Sequence, residues 1–254
     1  LNDLLVDGPS LWARCFYAAN PRKDEAIDLK KSLDISARMV LRLVRELHVD
    51  RTLFCWDTSA KKDKQRSVKP DEYYDGIAQL QDLLVKIIDT VNYYPEVGEA
   101  DDCVATAVYR DSENKLIVVS SDKDLQQLVS ANTSYYSLYE GALLSRRFIL
   151  NKWGVKRPIQ IAIALAIIGD PGDQVPGVPG FGKKKVHDLF IGIDPEAPFS
   201  DVLKVIEAHI PEKHREVFYE SLELTLLCPD AKNLPWPKAV KFDDSFELAD
   251  GFEY

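Results

Sequence analysis

The segment Gly98-Glu99-Ala100-Asp101-Asp102 sets three carboxylates within four residues. It lies where a strand-like run (Asn92 to Val97) gives way to a helix-like run (Cys103 to Arg110). Asp101 and Asp102 fit a helix N-terminus there, because the helix dipole favours acids. Farther on, Ser120-Ser121-Asp122-Lys123-Asp124 repeats the setting with two more acids, and Gly169-Asp170-Pro171-Gly172-Asp173 adds another pair. Asp7 and Asp57 each close a short apolar run. Carboxylates gathered without His or Cys select hard cations, Mg²⁺ or Mn²⁺, over zinc. Two such ions about 3.5–4 Å apart can activate a water and stabilise the leaving oxygen of a phosphodiester. Each acid alone reads equally well as a solvated or capping residue; the set favours one shared site.

The elements that must position these acids follow from periodicity. Leu4-Leu5-Val6, Thr52 to Trp56, Val91 to Val97 and Leu116 to Val119 read as buried strands, and Ser134 to Tyr139 as a more polar edge strand. Between them, Leu11 to Ala19, Ser32 to Leu47 and Asp71 to Asp89 carry apolar residues at helical spacing, with Asn20 to Lys31 as a loop and Asp124 to Val129 as a short helix. Such alternation predicts an α/β fold, a mostly parallel twisted sheet with helices on both faces. In these sheets the loops at the carboxyl ends of the strands meet in one crevice. Asp7, Asp57, Glu99, Asp101, Asp102, Asp122 and Asp124 all fall at such ends. Like charges held together repel, and a bound cation is the simplest compensation. Asp122 and Asp124 share one face if the backbone there is extended, and Asp170 and Asp173 share a helical or turn face. Beyond Pro158 the chain reads as helical: Ile159 to Ile168, Ser200 to His209 and Pro211 to Leu227. This divides it into an α/β metal-site domain over 1–157 and a helical region over 158–254.

Other groups suit a polyanion. Val175 to Lys185 places Gly177, Gly180 and Gly182 ahead of Lys183, Lys184 and Lys185 at a helix start. It reads as a turn offering backbone amides to a phosphate, or as an ordinary loop before a basic helix. Lys61, Lys62, Lys64, Arg66 and Lys69 crowd into nine residues, a phosphate guide or a solvated face. Arg14, seven residues past the first acid, is similarly placed. Tyr73 and Tyr74 either stack on bases or pack.

Composition excludes little of this. The chain of 254 residues is 46% hydrophobic, enough for a sizeable core, and its net charge of -9 argues at first against a polyanionic partner. Setting aside the nine candidate acids leaves 32 acids against 32 Lys plus Arg, a balanced remaining surface. Cys15, Cys55, Cys103 and Cys228 are scattered without zinc spacing and suit a reducing compartment. The longest apolar run is about half a membrane span, and the first one lacks the length of a secretory leader. A soluble, intracellular protein away from membranes is expected.

Together these motifs resemble the 5′-nuclease superfamily of flap endonucleases and 5′→3′ exonucleases, in its bacterial and phage branch. The resemblance runs from Leu4 to about Phe190. It is carried by Gly98 to Asp102, by Ser121-Asp122-Lys123-Asp124 with Gln127-Leu128, and by Gly169-Asp170 through Asp173 into Val175 to Lys184; Asp7-Gly8, Trp56-Asp57, Trp153-Gly154-Val155 and Pro158 also match. It implies a two-metal site in which Asp7, Asp57, Glu99, Asp101 and Asp102 serve one ion, Asp124, Asp170 and Asp173 the other, and Asp122 lies between. It implies that 175–185 is a helix-three-turn-helix element that binds duplex backbone and a K⁺ ion, and that 58–90 forms an arch over the site. The arch departs from the family pattern: Arg66 and Pro70 fit, but Tyr73-Tyr74-Asp75 stands where Tyr-Lys is usual, leaving Lys69 or Lys64 as substitutes. The expected activity is divalent-metal-dependent hydrolysis of DNA at 5′ ends or flap junctions by a free-standing, cytoplasmic monomer. The acidic, aromatic-bearing tail (Asp243 to Tyr254) reads equally as a contact for a replication protein or as a disordered segment. A metal-dependent ribonuclease of a related α/β class and a non-catalytic DNA-junction binder are the alternatives.

Overall fold

The computed structural model describes residues 1–22, 25–57, 69–95, 98–110 and 113–227. Lys61, Lys62, Lys64, Arg66, Cys228 and the acidic tail lie outside the described residues. Among those described, six strands form one sheet: β1 (Asn2–Asp7), β2 (Arg51–Cys55), β3 (Thr90–Tyr93), β4 (Lys115–Ser120), β5 (Thr133–Ser137) and β6 (Ala142–Leu144). Their spatial order is β3-β2-β1-β4-β5-β6, parallel except for β6, which pairs antiparallel with β5. The chain steps outward from β1 to β3, then returns to start β4 on the other side of β1. The β1/β4 boundary is therefore the switch point, where open α/β sheets form a crevice beyond the strand ends.

Side chains alternate between the two faces. Leu4, Val6, Phe54, Ile117 and Val119 pack with α1 (Gly8–Ala19), α2 (Leu29–Glu46) and α3 (Asp71–Ile87). Leu5, Leu53, Cys55, Leu116 and Val118 pack on the other face with α4 (Ala100–Arg110), α5 (Arg146–Trp153), α6 (Gln160–Ile168), α7 (Lys183–Ile191), α8 (Phe199–His209) and α9 (Arg215–Thr225). The expected sheet with helices on both faces is what the chain forms. α6, Gln-Ile-Ala-Ile-Ala-Leu-Ala-Ile-Ile, is apolar all round and almost wholly buried, as such a sequence must be in water. It carries the chain from the core straight to Asp170. Among the described residues no helix is long and apolar enough to cross a membrane.

Several local expectations are corrected. The third strand ends at Tyr93 rather than Val97, because Pro95 has no N–H for a ladder. The Ser134 to Tyr139 run is not an edge: β5 is covered by β6, a three-residue strand too short to show a period. α5 was not expected either; it opens on Ser145, whose hydroxyl accepts from the Phe148 amide at 3.1 Å, and it buries only Ile149 and Trp153. The expected extended backbone at Asp122 to Asp124 is a turn into a 3₁₀ segment, Asp124–Leu128. α4 starts at Ala100 rather than Cys103, so Asp101 and Asp102 occupy its first turn instead of the cap position. α3 falls within the expected arch 58–90 and packs on the sheet through Leu80, Leu84 and Ile87.

Candidate functional site

The acids reach the site because each sits where a strand or helix ends. Asp7 closes β1 and caps α1: its Oδ1 accepts from the Ser10 amide at 3.1 Å. Its other oxygen accepts from the Ser120 hydroxyl at 2.5 Å. Ser120 ends the neighbouring strand β4, and its Oγ in turn accepts from the Asp122 amide at 2.8 Å. One hydroxyl thus ties Asp7 to the loop bearing Asp122. The Tyr135 hydroxyl donates to the Asp122 carbonyl at 2.6 Å, shared with that of Ser120 at 2.9 Å. Spacing arguments missed Ser120 and Tyr135. The readable signal was a serine ending an apolar strand immediately before an acidic loop.

Asp57 follows β2, and its Oδ1 accepts from the Ala100 amide at 3.0 Å. A carboxylate from one strand end therefore caps α4, which bears Asp101 and Asp102. Asp102 Oδ2 accepts from the Glu99 amide at 3.2 Å, the back-reaching half of a capping box. Asp7 and Asp57 are coupled by packing as well. A Cβ on Gly8 would lie 2.5 Å from the Trp56 ring, so only glycine lets the chain after β1 approach the chain after β2.

Asp122 Oδ1 accepts from the Asp124 amide at 2.9 Å. Asp170 pairs backbone to backbone with Val175 (2.9 Å in each direction), and its Oδ1 accepts from the Gly172 amide at 3.2 Å. The turn is pinned by Gly177, at φ +71°, where a Cβ would come within 2.6 Å of the Gly169 nitrogen. Asp173, on the same turn, is exposed.

Charge interactions link all nine acids. Burial pushes Asp101 up to about 8, helped by Asp102, Glu99 and Asp122. Burial also raises Asp122 to about 7, with Asp7, Asp173 and Asp170 contributing. Asp124 rises to about 9 through burial, then Asp122, Asp173, Asp101 and Asp170. Burial raises Asp7 despite its serine partners, and Asp57 adds to the shift. Asp170 alone goes the other way: burial opposes ionisation, but the ammonium of Lys123, paired with Asp170 Oδ2, holds it below the ordinary value. Among the described residues no three of these side chains converge closely enough to enclose an ion as they stand. Asp7, Asp57, Asp101, Asp102, Asp122 and Asp170 turn instead to an amide, a hydroxyl or an ammonium, as mutually repelling charges do.

The basic candidates are dispersed. Arg14 is exposed on α1. Lys69 lies over the Tyr17 and Tyr73 rings, 5.2 and 5.9 Å from their centroids. Tyr73 packs, buried against Trp12, Phe16 and Tyr17, whereas Tyr74 is half exposed. Tyr73 also faces the rim: burial, Tyr17 and then Asp57 raise its phenol. Gly180 (φ +79°) and Gly182 have open space at their Cβ positions, leaving the backbone before α7 accessible. Lys183 and Lys184 are exposed there, while Lys185 donates to the Gly180 carbonyl at 2.7 Å.

The sequence and fold that carry this rim recur in a known group of enzymes. Residues 2–154 match the family described as 5′-3′ exonuclease, N-terminal resolvase-like domain. The chain belongs to the 5′-3′ exonuclease family. It falls in the bacterial and phage branch of the 5′-nuclease superfamily, whose members are 5′-3′ exonucleases and flap endonucleases. The flap endonuclease Xni of Shewanella woodyi is 28% identical over 197 residues, covering 73% of this chain and 75% of that protein. Its counterpart from Shewanella baltica is 29% identical over 194 residues, covering 73% and 72%. The T5 5′-exonuclease with divalent metal ions (zinc) bound shares the fold at a TM-score of 0.65 and 18% identity, over 90% of each chain. The catalytic core of Rad2 in complex with DNA substrate superposes at a TM-score of 0.51 and 13% identity, over 89% of this chain and 73% of that one.

Proposed function

We propose that this member of the 5′-3′ exonuclease family is a divalent-metal-dependent nuclease that hydrolyses phosphodiesters of DNA at 5′ ends or flap junctions. The observation that carries the reading is the charge coupling among carboxylates from five separate places in the chain, with Asp7 ending and Asp122 following the two strands of the switch point. Burial and mutual repulsion hold Asp101, Asp122 and Asp124 far above the ordinary carboxylate value. An all-oxygen donor set with excess negative charge fits Mg²⁺ or Mn²⁺. Asp7, Asp57, Glu99 and Asp101 would hold one ion, with Asp102 beside them. Asp124, Asp170 and Asp173 would hold a second, and Asp122 would serve both. The ions would supply activation of water and charge stabilisation at the scissile phosphate.

The remaining residues bind and orient. Ser120 and Tyr135 fix the Asp122 loop through their hydroxyls. Asp57 sets the N-terminus of α4. The exposed amides and lysines from Gly180 to Lys184 suit a duplex backbone, in keeping with a helix-three-turn-helix element; that reading brings a K⁺ ion to the same segment. Arg14 and the basic run before Lys69 would guide phosphates toward the rim. That the T5 5′-exonuclease carries divalent ions and Rad2 was captured with DNA supports the reading.

The test is incubation of purified protein with 5′-labelled flap, nicked and blunt duplexes in Mg²⁺ or Mn²⁺. The expected result is cleavage near the junction or the 5′ end, abolished by EDTA. Uncut substrates in both metals would overturn the reading.

A further inference from the structure

Lys123 is the one residue of the Asp122-Lys123-Asp124 triplet to which the proposed function gives no role. Its side chain, unlike those of its neighbours, meets an opposite charge: the ammonium is paired with Asp170 Oδ2. That pairing bridges two distant parts of the chain, the turn after β4 and the turn after α6. The partners are unequally buried, with the Asp170 side chain 8% exposed and that of Lys123 40% exposed. The carboxylate is fixed by its turn, through the Val175 backbone pairing and the Gly172 amide. The ammonium is on the solvent side, at the end of a flexible four-carbon stem. One partner can therefore leave for water while the other cannot.

We propose that Lys123 is a tethered counter-ion that neutralises the Asp170 arm of the acidic rim and must be displaced before a divalent cation can be held there. This rests on the metal-binding reading above. A single positive charge satisfies one oxygen of Asp170; a divalent cation would satisfy several rim oxygens at once, including those of Asp173 on the same turn. The two occupants compete for the same carboxylate, so each weakens the other's hold by the same factor. Partial exposure keeps the ion pair modest, so displacement is reversible at millimolar cation. While the ammonium is in place, Asp170 and Asp173 need not face each other uncompensated. Lys123 thus lets the turn fold in its final shape before any cation arrives. The Lys123 pair occupies the Asp170 arm, so the arm bearing Asp7, Asp57 and Asp101 would fill first.

Two measurements on this protein without DNA test this. The first is amine acylation of Lys123, followed by mass spectrometry during titration with Mg²⁺. Its reactivity should rise several-fold as the ammonium leaves Asp170. The second is Mn²⁺ calorimetry, in which Lys123→Met should tighten the weaker binding event by up to about fivefold, the upper end for a partly exposed ion pair, and leave the tighter event unchanged. Lys123→Arg keeps the charge and should leave both events near wild type, showing that the effect is not loss of fold. Two binding events with unchanged Lys123 reactivity, or equal tightening of both events in Lys123→Met, would overturn this inference while leaving the metal-dependent nuclease intact. No binding event at all would overturn both.

Discussion

At the scale of single residues, the site is held by groups that do no chemistry themselves. Ser120 spends its one proton on Asp7 and offers its lone pair to the Asp122 amide. Ser120→Ala removes both partners at once at a fully buried position, leaving a carboxylate oxygen and an amide without that partner. The expected cost is about 1–3 kcal/mol in urea unfolding, together with a fall in flap cleavage as the Asp122 loop loosens. Asp122→Asn should behave in the opposite sense. The amide oxygen can still accept from the Asp124 N–H, and a buried charge surrounded by Asp7, Asp170 and Asp173 is gone. Melting temperature should hold or rise while cleavage of a labelled 5′ flap drops by roughly 10²-fold or more, the scale for losing one charge-stabilising group at a reacting centre. Cleavage at wild-type rate by Asp122→Asn would remove that residue from the mechanism. The acids were legible in the sequence because acids closing apolar runs are a local pattern. Ser120, Tyr135 and the Lys123–Asp170 pair were not, since each depends on a partner brought near only by the sheet order.

At the scale of elements, the legible part was whatever a period could carry. Long amphipathic helices such as α2, and apolar runs such as Leu4 to Val6 and Leu116 to Val119, gave the parallel sheet and its crevice. What failed was short or rested on backbone conformation. β6 has three residues, α5 buries two side chains, and the path from Asp122 to Asp124 turns where a shared face required extension. Asp7-Gly8 and Trp56-Asp57 look like two independent strand ends in sequence. In space they are one joint, because the Trp56 ring lies where a Gly8 side chain would be. Gly8→Ala forces the ring or the α1 N-terminus to move, at an expected cost of about 1–3 kcal/mol for overpacking. It should also reduce activity, since both Asp7 and Asp57 ride on that joint. Denaturant midpoints and flap cleavage on the same preparation check this; an unchanged midpoint would mean that the β1 and β2 ends are not packed as described.

At the scale of the whole molecule, the rim makes stability depend on pH and on cations together. Asp101, Asp122 and Asp124 start from 3.8 and rise to about 8, 7 and 9 in the folded chain. A group whose pKa is higher in the folded state binds its proton more tightly there. Its contribution is fully present below the unfolded value and is lost as pH rises through the folded value. Without divalent cations, stability should therefore fall from about pH 4 to about pH 9, as three buried carboxylates are forced to ionise beside one another. Asp170 has the opposite sign: its pairing with Lys123 contributes above its unfolded value and is lost only in acid. It does not offset the fall at neutral and alkaline pH. Cations that bind the ionised rim favour the folded state by mass action, and more strongly at higher pH, where fewer protons must be expelled. Melting curves in EDTA should thus decline from pH 5 to pH 9, while curves in millimolar Mg²⁺ should be flatter, with the gap between them widening as pH rises. Asp124→Asn should shrink the decline in EDTA and narrow the gap, because it removes the most strongly perturbed of the three acids. A gap that is constant with pH would show that the cation binds away from these carboxylates.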